Sequence, residues 1–213
     1  MKNTFKIAVI GGTGKAGRYL VETLLEQGYH LRLLVRNPKN LKTKNHSFEV
    51  VYGDVRDYDT VQTVMEGCAA VLSTLGGSPM SEPTVFSKAT KNILRAMSQH
   101  QIKRYILVAG LNVNTPFDEK GPKTQAGTDW MHANFPESTR DRQYEYDILG
   151  QSNVDWTLIR LPMIKQTDER FDTHCDLTDC KGDEISATDL AFFMEEHISK
   201  DDFIRQAPFL FNS

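Results

Sequence analysis

The chain has 213 residues, of which 39% are hydrophobic and 25% are charged, and its formal net charge is −3. This length and composition are typical of a globular α/β domain that needs no metal or disulfide to fold. The small negative charge argues against non-specific binding to nucleic acid or to an anionic membrane. The three cysteines form no regular framework, which indicates reduced thiols and a cytoplasmic protein.

Short apolar runs alternate with amphipathic stretches along the chain. Residues 1–5 lead directly into the first run, so we expect no signal peptide, and no run is long enough to span a membrane. The apolar runs predict strands at 5–10, 31–35, 48–52, 69–73, 104–108, 156–160 and, as a closing edge strand, 208–211. The amphipathic stretches predict helices at 15–27, 57–66, 84–99, 137–151 and 186–197.

This alternation predicts one α/β domain over residues 1–213, with a doubly wound, mainly parallel sheet and helices on both faces. Two stretches, 110–136 and 163–184, do not follow it and are expected to be irregular loops. Both leave strands at the carboxyl edge of the sheet, where ligands bind in such folds. We therefore expect these loops to form the walls of a substrate pocket.

Glycines recur every three residues directly after the first strand. The turn contains Gly11, Thr13, Gly14, Lys15, Ala16 and Gly17. Without side chains the backbone can turn tightly and approach a pyrophosphate, which the N-terminus of the following helix attracts. The strand–turn–helix context favours a dinucleotide site of the Rossmann type over a plain tight turn.

The residues after the second strand bear on cofactor choice. NAD-binding proteins usually place a carboxylate there, whereas this chain has Arg36. Arg36 and Lys15 favour the 2′-phosphate of NADP over NAD, and the alternative is that both are solvated bases.

Two further segments follow strands at the same edge. Asp54 and Val55 come after the third strand, where the carboxylate either accepts from the adenine amino group or caps the next helix. Leu75 and Gly76 follow the fourth strand, where a glycine lets the cofactor ribose pass close to the backbone.

With these motifs the chain resembles the atypical short-chain dehydrogenases of the NmrA-like, NAD(P)H-binding type, and most of all the flavin reductase/biliverdin-IXβ reductase group. Further matching stretches include Val154–Thr157 and Ile185–Leu190. The resemblance implies NADPH held along the strand ends, reaching Ala109 and Met163. It also implies direct hydride transfer to a stacked flavin or tetrapyrrole, a chemistry that depends on positioning.

The chain departs from this pattern at the proton-transfer residues. Short-chain dehydrogenases usually combine a serine after the fifth strand with a Tyr-x-x-x-Lys pair. Gly110 stands where the serine is expected, and neither Tyr144 nor Tyr146 has a lysine four residues later. Met163 stands where the biliverdin reductase-like proteins often carry a histidine. The catalytic residues therefore stay unassigned.

Three other groups of residues contain side chains that can take part in chemistry or binding. His174, Cys175 and Cys180 lack a second paired cluster, so we expect no metal. The charged residues between 140 and 147 are expected to form a solvated helix face. We expect either an apolar lid over a ring substrate or simple packing of the loop against the domain from Trp130, Met131, His132 and Phe135. His132 is also a weak candidate for a catalytic acid.

These observations predict an NADPH-dependent oxidoreductase that reduces a flavin, a quinone or another small planar acceptor. The alternatives are a non-catalytic NADP(H) sensor that binds a partner protein and, less favoured, a sugar epimerase. The oligomeric state stays open, and a monomer is compatible with the sequence.

Overall fold

A computed structural model describes residues 5–41, 48–77 and 82–213. The expectation about the N-terminus therefore concerns residues that lie mostly outside the described part. In chain order the described strands are β1 (Lys6–Ile10), β2 (His30–Val35), β3 (Phe48–Tyr52), β4 (Cys68–Ser73), β5 (Arg104–Gly110), β6 (Asp155–Leu161), β7 (Met163–Lys165), β8 (Thr173–Asp176), β9 (Glu184–Ser186) and β10 (Phe209–Asn212). The described α-helices are α1 (Gly17–Glu26), α2 (Tyr58–Met65), α3 (Val85–Gln99), α4 (Pro122–Asn134), α5 (Pro136–Gln151) and α6 (Ala187–Glu196).

The main sheet has the strand order β3-β2-β1-β4-β5-β6-β10-β8. Neighbouring strands are parallel from β3 through β10, and β8 alone among them runs antiparallel, pairing with β10. The order reverses direction at β1 and β4, which is the switch point of a doubly wound fold. The predicted fold class, a single Rossmann-like α/β domain, is confirmed.

Alternating strand residues supply two hydrophobic layers, one on each face of the sheet. Ile7 and Val9 pack in the layer that holds α1 and α6, whereas Ala8 and Ile10 face the layer that holds α2, α3 and α5. Because successive side chains of a strand point to opposite faces, a fully apolar run is what a strand covered on both sides requires.

The prediction that 208–211 closes the sheet as an edge strand was wrong. β10 lies between β6 and β8, and its residues Phe209–Asn212 are all buried. The actual edge, β8, is a four-residue strand of sequence Thr-His-Cys-Asp. That sequence carries no apolar run, so the periodicity rule could not find it.

The prediction of two irregular loops was also wrong in part. Residues 110–136 contain the 13-residue helix α4, and residues 163–184 contain β7 and β8 and begin β9. Helix α4 has no apolar stripe because only Thr124 and Thr128 of its side chains are buried. Pro122 at its first turn was the available start signal.

A fully buried arginine in β6 fixes these segments to the sheet. Arg160 pairs with Asp118 at 2.6 Å and donates to the backbone carbonyls of Ala207, Val113 and Leu177. Its guanidinium also lies 3.6 Å from the ring centroid of Phe209. Since a buried charge is tolerated only when its donors are paired, this network orders the chain after β5.

No helix within the described ranges is long and apolar enough to cross a membrane.

Candidate functional site

The glycine turn between β1 and α1 is packed too tightly for side chains at two positions. Gly11 has φ +80°, and a Cβ placed on it would lie 2.8 Å from the carbonyl carbon of Thr74. A Cβ on Gly17 would overlap the carbonyl oxygen of Gly11. The amide of Gly14 donates to the same carbonyl at 2.9 Å and closes the turn. The glycines are therefore required by the close approach of α1 to the strand edge.

The first turn of α1 leaves backbone donors available. Intrahelical bonding begins with Arg18, whose amide donates to Gly14 at 3.2 Å. The described residues supply no acceptor for the amides of Lys15 and Ala16. Unpaired amides at a helix N-terminus form an anion site, because they point outward at the positive end of the helix dipole.

A cavity of about 540 Å³ extends from this turn along the carboxyl ends of the parallel strands. Its lining includes eleven of the thirteen residues predicted to bind the cofactor: Gly11, Thr13, Gly14, Lys15, Ala16, Arg36, Asp54, Val55, Leu75, Gly76 and Ala109. Gly17 lies buried beneath the turn and acts through packing. Met163 is 74% exposed and does not line the cavity, where its neighbour Ile164 stands instead because adjacent strand residues face opposite sides.

The charged groups beside Asp54 in this cavity are already partly paired. The carboxylate of Asp54 accepts from the backbone amide of Arg56 at 2.9 Å and from its Nε at 2.8 Å. These hydrogen bonds hold the pKa of Asp54 below its ordinary value. The cap of α2 is Asp57, which accepts from the amide of Asp59. The capping alternative for Asp54 is therefore wrong, and its role toward adenine stays a prediction.

A second cavity of about 620 Å³ adjoins the first. The two cavities share lining residues at their junction: Gly77, Val85, Gly110 and Arg142. Met131 and Phe135, two members of the predicted lid, contribute apolar wall. Trp130 contacts the Phe135 ring edge-on at 5.6 Å without lining the cavity, and His132 is exposed and also outside the lining.

Helix α5 carries the five charged residues that were predicted to form a solvated face, and the prediction was wrong for three of them. Asp141, Arg142 and Glu145 are 6%, 8% and 2% exposed. Arg142 pairs with Glu145 at 2.5 Å, and Thr90 donates to the other oxygen of Glu145 at 2.7 Å. Asp147, by contrast, is exposed.

The carboxylate of Asp141 caps a different helix. It accepts from the backbone amides of Phe86 at 2.8 Å and Ser87 at 3.2 Å, in the first turn of α3. The sequence contained one indication that these charges are buried. Residues 142, 145 and 149 are three or four positions apart, so the first two lie on the same stripe of the helix as the buried Leu149. The prediction instead followed the general rule that charged side chains face water.

The tyrosines of α5 provide no proton relay at the cavities. Tyr144 is 48% exposed and accepts from Lys91 Nζ at 3.2 Å on the outer surface. Tyr146 packs edge-on against Trp156 at 5.9 Å. Across the described chain, no group of three or more His, Cys, Asp or Glu side chains could hold a metal.

Comparison with known proteins identifies the family of this chain. A family model described as NAD(P)H-binding matches residues 11–201. Among curated proteins, the chain is 26% identical over 166 residues to cinnamoyl-CoA reductase 1 of Petunia hybrida, covering 70% of this chain and 48% of that protein. It is 27% identical over 163 residues to the photosystem II assembly factor Ycf39 of Trieres chinensis, covering 73% and 44%. The chain thus spans about half the length of these relatives or less.

Solved structures share the fold at low identity. A short-chain dehydrogenase/reductase of Veillonella parvula in complex with NADP has a TM-score of 0.77 at 18% identity, covering 98% of this chain and 94% of that one. An anaerobillin reductase of Escherichia coli O157:H7 has a TM-score of 0.79 at 18% identity, covering 97% of each chain. Identities this low establish the fold alone.

Proposed function

Because this chain belongs to the NAD(P)H-binding family, we propose that it is an NADPH-dependent reductase that transfers hydride to a flavin, a quinone or a similar planar acceptor. The observation that carries the proposal is the junction of the two cavities at Gly77, Val85, Gly110 and Arg142. A dinucleotide along the first cavity and an acceptor in the second would meet there.

The first cavity fits a pyridine dinucleotide. The amides of Lys15 and Ala16 would hold the pyrophosphate, because the described residues supply no acceptor for either of them. Arg36, at the end of β2, would hold a 2′-phosphate, since that position carries no carboxylate to bind a ribose hydroxyl. The bound nucleotide would supply the hydride, and the protein would supply orientation and electrostatics.

The second cavity suits an aromatic acceptor. Val85, Phe86, Met131 and Phe135 offer apolar surface for a planar ring. Its described lining contains no tyrosine, lysine or histidine, so the tyrosine–lysine pair of short-chain dehydrogenases has no counterpart there. The name of the anaerobillin reductase neighbour and the resemblance to the flavin reductase/biliverdin-IXβ reductase group support the same class of acceptor.

The same lining leaves a second candidate open: a non-catalytic NADP(H) sensor of the NmrA-like type. A sensor needs the first cavity and no relay, and it fits the tyrosines that lie away from both cavities. A sugar epimerase is less supported, because it normally needs a tyrosine and a lysine at the nicotinamide.

The test is NADPH oxidation, followed at 340 nm, with FMN, riboflavin and simple quinones. We expect turnover with at least one of them, and no turnover above the buffer background with any would contradict the reductase. Ser138→Trp, which fills the second cavity from α5, should abolish turnover and leave NADPH affinity unchanged. Asp147→Trp, on the exposed side of α5, is the matched control. Tight NADPH binding without hydride transfer would support the sensor.

A further inference from the structure

We propose that Arg142 stabilises the negative charge that develops on the acceptor, and that the second cavity selects acceptors whose two-electron reduction leaves an anionic oxygen or nitrogen. The inference rests on the proposed function and names the substrate class of that site. It is carried by the placement of one buried cation at the junction of the two cavities, where α5 was expected to face water.

Arg142 is held in place from three sides. Its Nη1 pairs with Glu145 at 2.5 Å, its Nη2 donates to the carbonyl of Leu75, and its guanidinium lies 3.3 Å from the ring centroid of Phe86. A guanidinium has more N–H donors than these two bonds use. The side chain is only 10% exposed and lines both cavities, so its accessible edge faces the ligand space. In such a water-poor setting a fixed charge acts more strongly than in bulk water.

A second polar group lies at the same junction. Asn112 is 3% exposed, lines the second cavity, and its Nδ2 has no hydrogen-bond partner among the described residues. A Cβ on Gly110 would overlap its Oδ1, so the amide occupies the space beside the end of β5. Buried amides are nearly always paired, so a buried Nδ2 without a partner is an exception, and it lies beside the ligand space.

The chemistry explains why a cation would replace a proton donor. Hydride transfer moves two electrons and one hydrogen from the reduced nucleotide to the acceptor. The nucleotide is thereby oxidised, and a neutral flavin or quinone becomes a monoanion. The new charge sits on a conjugated oxygen or ring nitrogen, and water protonates it after release when needed. Arg142 would lower the barrier by attracting that charge as it forms.

Removing the charge of Glu145 should change anion binding in the opposite direction from removing the charge of Arg142. Its carboxylate offsets the charge of Arg142 and accepts a hydrogen bond from Thr90. Glu145→Gln keeps the size and an acceptor oxygen but removes the negative charge, so an anionic ligand in the cavity should bind more tightly.

The experiment compares two planar ligands that differ in charge. The probes are 2-hydroxy-1,4-naphthoquinone, which is ionised at neutral pH, and its neutral 2-methoxy ether. Their dissociation constants are measured by titration calorimetry on the full chain saturated with NADP⁺, so that no hydride moves. We expect wild type to prefer the anion by ~10-fold or more. Arg142→Met should remove the preference, Arg142→Lys should keep part of it, and Glu145→Gln should increase it.

Arg140→Met, on the exposed side of α5, is the matched control and should match wild type. Equal preference in wild type, Arg142→Lys and Glu145→Gln would overturn the inference, even if Arg142→Met failed to fold. Asn112→Leu should weaken both probes alike, because it removes a donor without changing charge. These binding ratios are independent of turnover. A wild type that shows them but never oxidises NADPH would contradict the proposed reductase and not the anion preference.

Discussion

The surroundings of the first cavity and of the second cavity are built by different means. At the first cavity, the consecutive residues 11–17 form the turn, and the strand before it and the helix after it belong to the same short segment. At the second cavity, Arg142 and Asp141 on α5 reach Leu75 and the first turn of α3, more than fifty residues away. The first region follows local rules, and the second depends on long-range pairing of buried charges.

The largest effect is expected from glycine substitutions in the two regions. Gly17→Ala places a methyl group against the carbonyl of Gly11, whereas Gly150, near the end of α5, has nothing within 4 Å of an added Cβ. We expect Gly17→Ala to lower the free energy of unfolding by roughly 2–4 kcal/mol and to abolish nucleotide binding. Gly150→Ala should raise it by ~0.5–1 kcal/mol. Urea unfolding measures both, and equal effects would contradict the packing described for the turn.

The second prediction concerns Asp141 as an inter-helix cap. Asp141→Ala removes the acceptor of two buried amides of α3, so we expect a loss of about 2–3 kcal/mol in the free energy of unfolding. Asp147→Ala, exposed on the same helix, should change it by less than ~0.5 kcal/mol. If the two variants unfold at the same denaturant concentration, α5 carries a solvated face after all.

The third prediction concerns Arg36 in the first cavity. Arg36→Asp should weaken NADPH binding ~30-fold, on the order of 2 kcal/mol, because one charged contact to a 2′-phosphate is lost and a like charge is added. NADH binding should change far less. Fluorescence titration with both nucleotides gives the ratio, and an equal loss for the two would remove the role assigned to Arg36.

The smallest effect is expected from Glu82, which lines the second cavity and pairs with Arg56 and Lys88. Lys88 and Arg56 lower its pKa to about 2, so its ion pairs favour the folded state above pH ~4.5 and this contribution fades as the pH falls toward 2. Glu82→Gln should melt only ~1–2 °C below wild type at pH 7, since the groups are exposed, and the difference should vanish near pH 2. Glu119→Gln, exposed elsewhere, is the control. A difference that grows in acid would contradict the assignment.

The sequence was sufficient for what depends on contiguous residues. Every strand through β6 and the helices α1, α2, α3, α5 and α6 came from periodicity and glycine or proline signals. Helix α4 did not, because its buried side chains are threonines, and β8 did not, because its edge position needs no apolar run. The burial of Arg142, Glu145 and Arg160 could not be predicted from the sequence. Each of these side chains is paired in part with a group from a distant segment: Leu75, Thr90 and Asp118, respectively.

The central claim is that the amides opening α1 hold the phosphates of a pyridine dinucleotide. It is tested most directly by titrating the chain with NADPH while following amide hydrogen exchange over residues 11–17. We expect saturable binding below ~100 µM, in the affinity range of a specific cofactor site, with slowed exchange at Lys15 and Ala16. Absence of binding at millimolar NADPH and NADH, or binding that leaves these amides unprotected, would contradict it.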